Sequence, residues 1–77
     1  MIVSCFIINT MHKCHDFYYT CQFDEYDNKC RVNVYADEEQ NNFLDSFIIY
    51  GEYGEEMFVE QAYLHIFDNE EHFQKLM

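Results

Sequence analysis

Carboxylates are the most abundant reactive groups in this 77-residue chain, which has 15 Asp and Glu residues, four Lys and Arg residues and a formal net charge of −11. Their distribution is uneven. Residues 1–36 contain four acids and three bases, whereas residues 37–77 contain eleven acids and Lys75 as their only base. Because opposite charges attract, these groups could pair with Lys and Arg of a basic protein surface. The three acidic clusters are Asp37, Glu38 and Glu39; Glu52, Glu55, Glu56 and Glu60; and Asp68, Glu70 and Glu71.

The spacing of the acids suggests how they could act together. On a helix over residues 55–67, Glu56 and Glu60 would stand one turn apart, with Cβ atoms about 5–6 Å from each other. A row of carboxylates at such intervals can imitate a phosphate backbone. The alternative is a solvated acidic face whose acids cap helices. The predicted partner-binding residues are Asp37, Glu38, Glu39, Glu52, Glu55, Glu56 and Glu60, with Tyr50 and Tyr53 between them.

Tyrosines form the second group that could contact a partner. The ring offers area and the hydroxyl offers a hydrogen bond, which suits a protein interface. We expect Tyr18, Tyr26, Tyr50 and Tyr53 to be exposed, on the less apolar strand face or in turns. We expect Tyr19, Tyr35 and Tyr63 to complete the core.

His12, Cys14, His15 and Cys21 superficially resemble zinc ligands. The spacing matches no common zinc motif and no Cys-x-x-Cys pair accompanies it, so we predict neither a metal nor another cofactor. The sequence contains no catalytic motif either. The four hydroxyl side chains of Ser and Thr lie outside any nucleophile motif, and two glycines are too few for a phosphate-binding loop. We therefore expect a protein that is not an enzyme.

A single domain over residues 1–77 fits the length and the hydrophobic content of 49%. The chain has neither a recognisable signal peptide nor a membrane-length apolar run, so we expect a cytoplasmic protein with reduced thiols. Alternation of apolar and polar residues predicts strands over 17–24 and 30–36, joined by a hairpin turn at 25–29. Residues 2–10 are rich in β-branched and aromatic types and predict a further strand.

Helical patterns are predicted from residue 37 onward. Asp37 could cap a helix with a buried stripe of Phe43, Leu44, Phe47 and Ile48. Gly51 and Gly54 bracket a short break after Tyr50, where this predicted helix ends. Residues 55–67 could form a strand burying Phe58 and Leu64, but the Glu, Gln and Ala content favours a helix burying Val59, Ala62, Tyr63 and Ile66. Asp68 would start a last helix carrying Phe73 and Leu76. The predicted fold class is α+β, with a three-stranded antiparallel sheet followed by two or three helices on one face.

The composition and the element order resemble those of small phage-encoded inhibitors that mimic nucleic acid. The similarity to anti-CRISPR proteins, which block a CRISPR nuclease, covers residues 17–77: a strand hairpin from Tyr18 to Tyr35, then acidic helices from Asp37. It includes no sequence motif. The resemblance implies an inhibitor whose acids occupy the nucleic-acid site of a CRISPR effector or another nucleic-acid enzyme.

Two other functions stay open. The chain could be an interaction subunit or an antitoxin-like partner, monomeric or homodimeric, that binds through aromatic residues and the sheet edge at residues 2–10 while its acidity serves solubility. It could also be a metal-dependent regulator that uses His12, Cys14 and His15.

Overall fold

The fold is a four-stranded antiparallel sheet followed by two helices, so the α+β class is confirmed. The computed structural model describes residues 5–24 and 26–77, and the side chains of residues 11–24 and 26–77. Neighbouring strands in the sheet follow chain order. The elements are β1 (Cys5–Cys14), β2 (Phe17–Asp24), β3 (Lys29–Tyr35), β4 (Phe43–Tyr50), α1 (Glu55–Asp68) and α2 (Glu70–Leu76).

The core lies between one face of the sheet, here called the inner face, and the two helices. Two ring contacts anchor the helices: Phe23 meets Phe58 of α1 and Phe17 meets Phe73 of α2, each with ring centroids 5.8 Å apart. The Tyr19 hydroxyl donates a hydrogen bond to the Val59 carbonyl at 3.2 Å, so a buried polar group is satisfied where α1 crosses β2. The buried residues are Cys14, Phe17, Tyr19, Cys21, Phe23, Cys30, Val32, Val34, Phe58, Ala62, Ile66 and Phe73.

The predictions for the first three strands hold where the chain is described. β2 alternates as predicted, with its odd-numbered residues buried, and β3 buries Cys30, Val32 and Val34. Asn28 adopts a left-handed conformation (φ 48°) in the hairpin turn. The strand predicted at 2–10 is seen from Cys5 and extends to Cys14, and residues 2–4 lie outside the described part.

The helix predicted from Asp37 is wrong, because residues 43–50 form the fourth strand. Apolar residues at 43, 44, 47 and 48 fit a helical stripe, but short apolar runs suit either structure. Pairing with β3 decides the outcome, since it places Phe47 opposite Val32 and Ile49 opposite Cys30. Backbone hydrogen bonds and burial of this face outweigh the local helical pattern.

Asp37 organises a loop instead of capping a helix. Its two carboxylate oxygens accept hydrogen bonds from the backbone N–H groups of Asn41 (3.2 Å) and Asn42 (2.9 Å). Gln40 adopts a left-handed conformation (φ 63°), which no right-handed helix accommodates. The result is a turn that returns the chain from β3 to β4.

The helix favoured over 55–67 is confirmed as α1, and the break at Gly51–Gly54 lies where predicted. α1 buries Phe58 in addition to Ala62 and Ile66, while Val59 and Tyr63 are half-buried. The last helix begins after Asn69, not at Asp68. It carries Phe73 and Leu76 as predicted, and of these two residues Phe73 is buried and Leu76 is exposed.

Truncation of one buried and one exposed side chain of α1 tests this packing. Ile66 is fully buried, so Ile66→Ala should lower the free energy of unfolding by about 2–5 kcal/mol, because it removes apolar contacts and leaves a cavity. Leu64→Ala, on the exposed side of the same helix, should change it by about 0.5 kcal/mol or less. Urea denaturation followed by circular dichroism measures both, and equal losses would contradict the described orientation of α1.

Candidate functional site

Six of the predicted partner-binding residues follow one another in a single stretch of chain, from the end of β4 into the first half of α1. We call this region the acidic tip; it comprises Tyr50, Glu52, Tyr53, Glu55, Glu56 and Glu60. The Gly51 N–H donates to the Asn28 carbonyl at 2.8 Å, which ties the tip to the β2–β3 hairpin. Glu55 and Glu56 occupy the first turn of α1, where the positive end of the helix dipole favours carboxylates.

Gly51 and Tyr53 fix the backbone of the tip. The Tyr53 ring stands edge-on to Phe58, with centroids 5.3 Å apart and planes at 88°. It covers Gly51 so closely that a Cβ there would lie 2.5 Å from the ring, and Gly51 has a φ of 150°, which side chains rarely adopt. Only glycine fits this position without displacement of the ring.

The remaining predicted residues, Asp37, Glu38 and Glu39, lie at the opposite end of the sheet. They follow Tyr35, the last residue of β3, while the tip follows Tyr50, which pairs with Lys29 at the start of β3. The length of β3 separates the two ends by about 20 Å. Glu38 and Glu39 are exposed, whereas Asp37 uses its carboxylate to hold its own loop. The predicted set therefore divides into two patches.

The third acidic cluster serves partly to hold α2 in place. Glu70 contacts His15 of the β1–β2 turn, with 2.6 Å between Oε1 and Nδ1. His72 lies 3.3 Å from the Asp45 carboxylate of β4. The Ser46 N–H and His72 both hydrogen-bond to Asp45 and lower the pKa of its carboxyl group below 3.8. These contacts attach α2 to the β1–β2 turn and to β4.

The charges are segregated by face as well as by sequence. Lys29 and Arg31 alternate with the buried Cys30 and Val32 of β3, and Lys13 pairs with Tyr18, so these bases lie on the face of the sheet away from the helices, here called the open face. Within the described residues, the pair Lys29–Asp27 (3.6 Å) is the single ion pair that involves Lys or Arg. The carboxylates of the tip therefore have no Lys or Arg partner among the residues that the structure describes.

Exposed apolar side chains accompany the acids on the outer surface of α1. Met57, Leu64 and Phe67 are exposed, and they share the helix surface with Glu56 and Glu60. Sequence reasoning did not single out these residues, although Met57 and Leu64 are three and four residues from Glu60, and Phe67 is three residues from Leu64, which places them on the same side of the helix. Carboxylates and apolar groups side by side can bind a surface that is both basic and apolar.

The tyrosines lie largely as predicted. Tyr26, Tyr50 and Tyr53 are exposed, and Tyr19 is buried. Tyr18, Tyr35 and Tyr63 are half-buried, so their rings belong to neither class completely.

The four residues that resembled zinc ligands are used separately. His12 packs on the Tyr19 ring at 5.2 Å, and burial lowers its pKa. Cys14 donates to the Tyr63 carbonyl, and burial raises the pKa of its thiol. The hydrogen bond to Cys30, together with burial, raises the pKa of Cys21. Among the described residues no three His, Cys, Asp or Glu side chains are grouped so that they could hold a metal ion.

Neither described helix has the length and apolar character needed to cross a membrane. The chain matches no protein-family model, and no match was found among curated proteins or solved structures.

Two glycine variants test the geometry of the tip. Gly51→Ala should lower the free energy of unfolding by about 1–3 kcal/mol, because the new methyl group displaces Tyr53 and the backbone is strained. Gly54→Ala meets no atom within 4 Å and should be neutral or stabilising by up to about 1 kcal/mol. Thermal unfolding compares the two variants, and similar effects would contradict the described position of the Tyr53 ring.

The Asp45 contacts predict a measurable titration. Because its folded-state pKa is lowered, Asp45 stabilises the fold at pH values above 3.8 and loses this contribution as the pH falls through the lowered value. His72→Gln should raise the pKa of Asp45 only part of the way, since the Ser46 N–H still donates to the carboxylate at 2.8 Å. NMR titration of the Asp45 carboxyl carbon measures this, and an unchanged pKa would show that His72 does not contact Asp45.

Proposed function

We propose that the protein is an acidic inhibitor that blocks a nucleic-acid-binding protein by occupying its basic DNA- or RNA-binding surface. The candidates are a CRISPR effector or a similar nuclease. The observation that carries this proposal is the tip, where Glu52, Glu55, Glu56 and Glu60 have no Lys or Arg partner among the described residues and share one stretch of chain with exposed Tyr50. Such a role needs no catalytic group and no cofactor.

The charge density supports the proposal. The longest dimension of 38 Å, divided by the 11 net negative charges, gives one charge per about 3.5 Å. A single nucleic-acid strand carries one charge per about 3.4 Å. The net charge of the protein is therefore comparable with the charge of a single strand of the same length.

The position of the acids also supports it. The tip and the loop Asp37–Glu39 present carboxylates about 20 Å apart, at both ends of the sheet. A basic groove of that length could contact both patches at once. The exposed Met57 and Leu64 on α1 add apolar area that nucleic acid lacks, which gives the inhibitor a way to bind more tightly than the substrate it replaces.

Affinity capture tests the proposal. The tagged protein, incubated with a bacterial lysate, should retain a nucleic-acid enzyme that elutes at moderate salt and is displaced by added DNA. The purified enzyme should lose DNA binding when the inhibitor is added. Capture of a partner that resists salt and ignores DNA would favour the interaction-subunit or antitoxin-like function instead.

Charge-neutralising variants locate the contact on the inhibitor. Glu55→Gln with Glu56→Gln should weaken binding to the captured enzyme about tenfold and reduce its salt dependence, since two ion pairs contribute about 0.2–1 kcal/mol each. Asp16→Asn with Glu71→Gln changes the net charge equally at exposed positions outside the proposed surface and should weaken binding less than about threefold. Equal losses in the two double variants would show that net charge, not the tip, determines affinity.

A further inference from the structure

The open face carries a row of large side chains across its full width. Lys13, Tyr18, Tyr35 and Phe43 are successive cross-strand partners from β1 to β4. The Lys13 ammonium lies 5.7 Å from the centre of the Tyr18 ring, and the rings of Tyr35 and Phe43 meet edge-on at 5.8 Å. Phe43, at the β4 end of this row, is 57% exposed.

The other end of the open face combines apolar and charged groups. Tyr50, paired with Lys29, is 67% exposed, and Ile48, paired with Arg31, is 36% exposed. Ile48 also borders a shallow depression that holds both signs of charge. The depression is lined by Gln22, Asp24, Lys29, Arg31 and Ile48.

We propose that the open face binds the open face of a second copy of this chain in a two-fold symmetric dimer. The available area suffices for a weak, specific interface. Four strands about 4.8 Å apart and about eight residues long cover roughly 500 Å², so two copies would bury roughly 1,000 Å². This is the lower end of the range for biological interfaces, where complexes are weak or transient, so we expect a dimer at high protein concentration.

The charges favour this face over every other described surface. Two copies that met through their acidic helices would repel each other, whereas the open face holds three of the four Lys and Arg residues of the chain. In a two-fold arrangement each contact occurs twice, so Asp24 of one copy can pair with Arg31 or Lys29 of the other, and the reverse. The depression of one copy is therefore complementary in charge to the depression of the other.

Stacking through the open faces also separates the acidic surfaces. Sheets pack about 10 Å apart and each helix layer adds about 10 Å, so the two helix layers would lie about 30 Å from each other. The Debye length is about 8 Å at 0.15 M salt and about 30 Å at 0.01 M. Repulsion between the copies is therefore screened at physiological salt and is strong only at low salt.

Single-stranded nucleic acid is the other occupant with suitable chemistry, since aromatic rings and cations form stacking platforms. The net charge of −11 on a body only 16 Å thick opposes it. A second copy brings apolar groups and both signs of charge, so it fits the open face better than a polyanion does.

The dimer surface shares Tyr50 with the tip but none of the tip's carboxylates, and the salt dependence of the dimer has the opposite sign to that of the proposed inhibition. Sedimentation equilibrium of the reduced protein over about 10–500 µM should show the 9.5 kDa monomer converting to a dimer. Raising the salt from about 0.01 to 0.5 M should strengthen the dimer by tenfold or more, because like-charged copies repel. Binding to a basic target should weaken over the same range.

Matched variants locate the interface. Ile48→Glu, on the open face, should weaken the dimer more than tenfold, whereas Leu76→Glu, on α2, adds the same charge at an exposed position and should weaken it less than threefold. Should Ile48→Glu fail to fold, the concentration dependence of amide NMR shifts in the natural sequence replaces it, with changes expected in β2, β3 and β4 and not on the outer side of α1.

Three results would overturn the proposal. These are a monomer at every concentration and salt, equal weakening by the two variants, or a dimer that dissociates as salt rises. A monomer that binds a fluorescent single-stranded oligonucleotide through Tyr35 and Phe43 would reassign the open face to nucleic acid.

Discussion

Burial of one sheet face against two short helices is the interaction on which the rest of the structure depends. α1 has 14 residues and α2 has seven, and neither has a side-chain hydrogen bond at its N-cap. Helices of this length are marginal in isolation, and neighbouring carboxylates on their outer surfaces repel each other. Phe58, Ile66 and Phe73 pack against the inner face, and this packing supplies the stability that the isolated helices lack. The arrangement of carboxylates on the outside is therefore a consequence of apolar packing on the inside.

The fold was predictable from the sequence where one face of a strand is buried and the other is not. β2 and β3 satisfy this condition, and their two-residue period is unambiguous. β4 does not, because Ile48 and Tyr50 on its open side are as apolar as Phe47 and Ile49 on its inner side. Its residues then fit a helix as well as a strand, and only pairing with β3 distinguishes the two. Local pattern carries no information about such a partner.

The candidate site was predictable to the extent that its residues are neighbours in the chain. The tip is contiguous from Tyr50 to Glu60, so its grouping followed from the sequence. The separation of Asp37 from the tip depends on β4, and it was therefore missed together with that strand. The structural use of Asp37 within its own loop was missed for the same reason, since the same carboxylate suits a helix cap and a turn equally well.

The position of both helices after all four strands has a consequence for biosynthesis. While the chain leaves the ribosome, the strands can pair in order, because each one is hydrogen-bonded to its neighbour in sequence. The inner face, with Phe17, Phe23 and Val32, stays uncovered until residues 58–73 have emerged. Nascent chains at this stage expose an apolar sheet face, and such surfaces are prone to aggregation. The carboxylates at residues 52–60 emerge just behind the sheet, and their mutual repulsion would keep neighbouring nascent chains apart until α1 and α2 close the core.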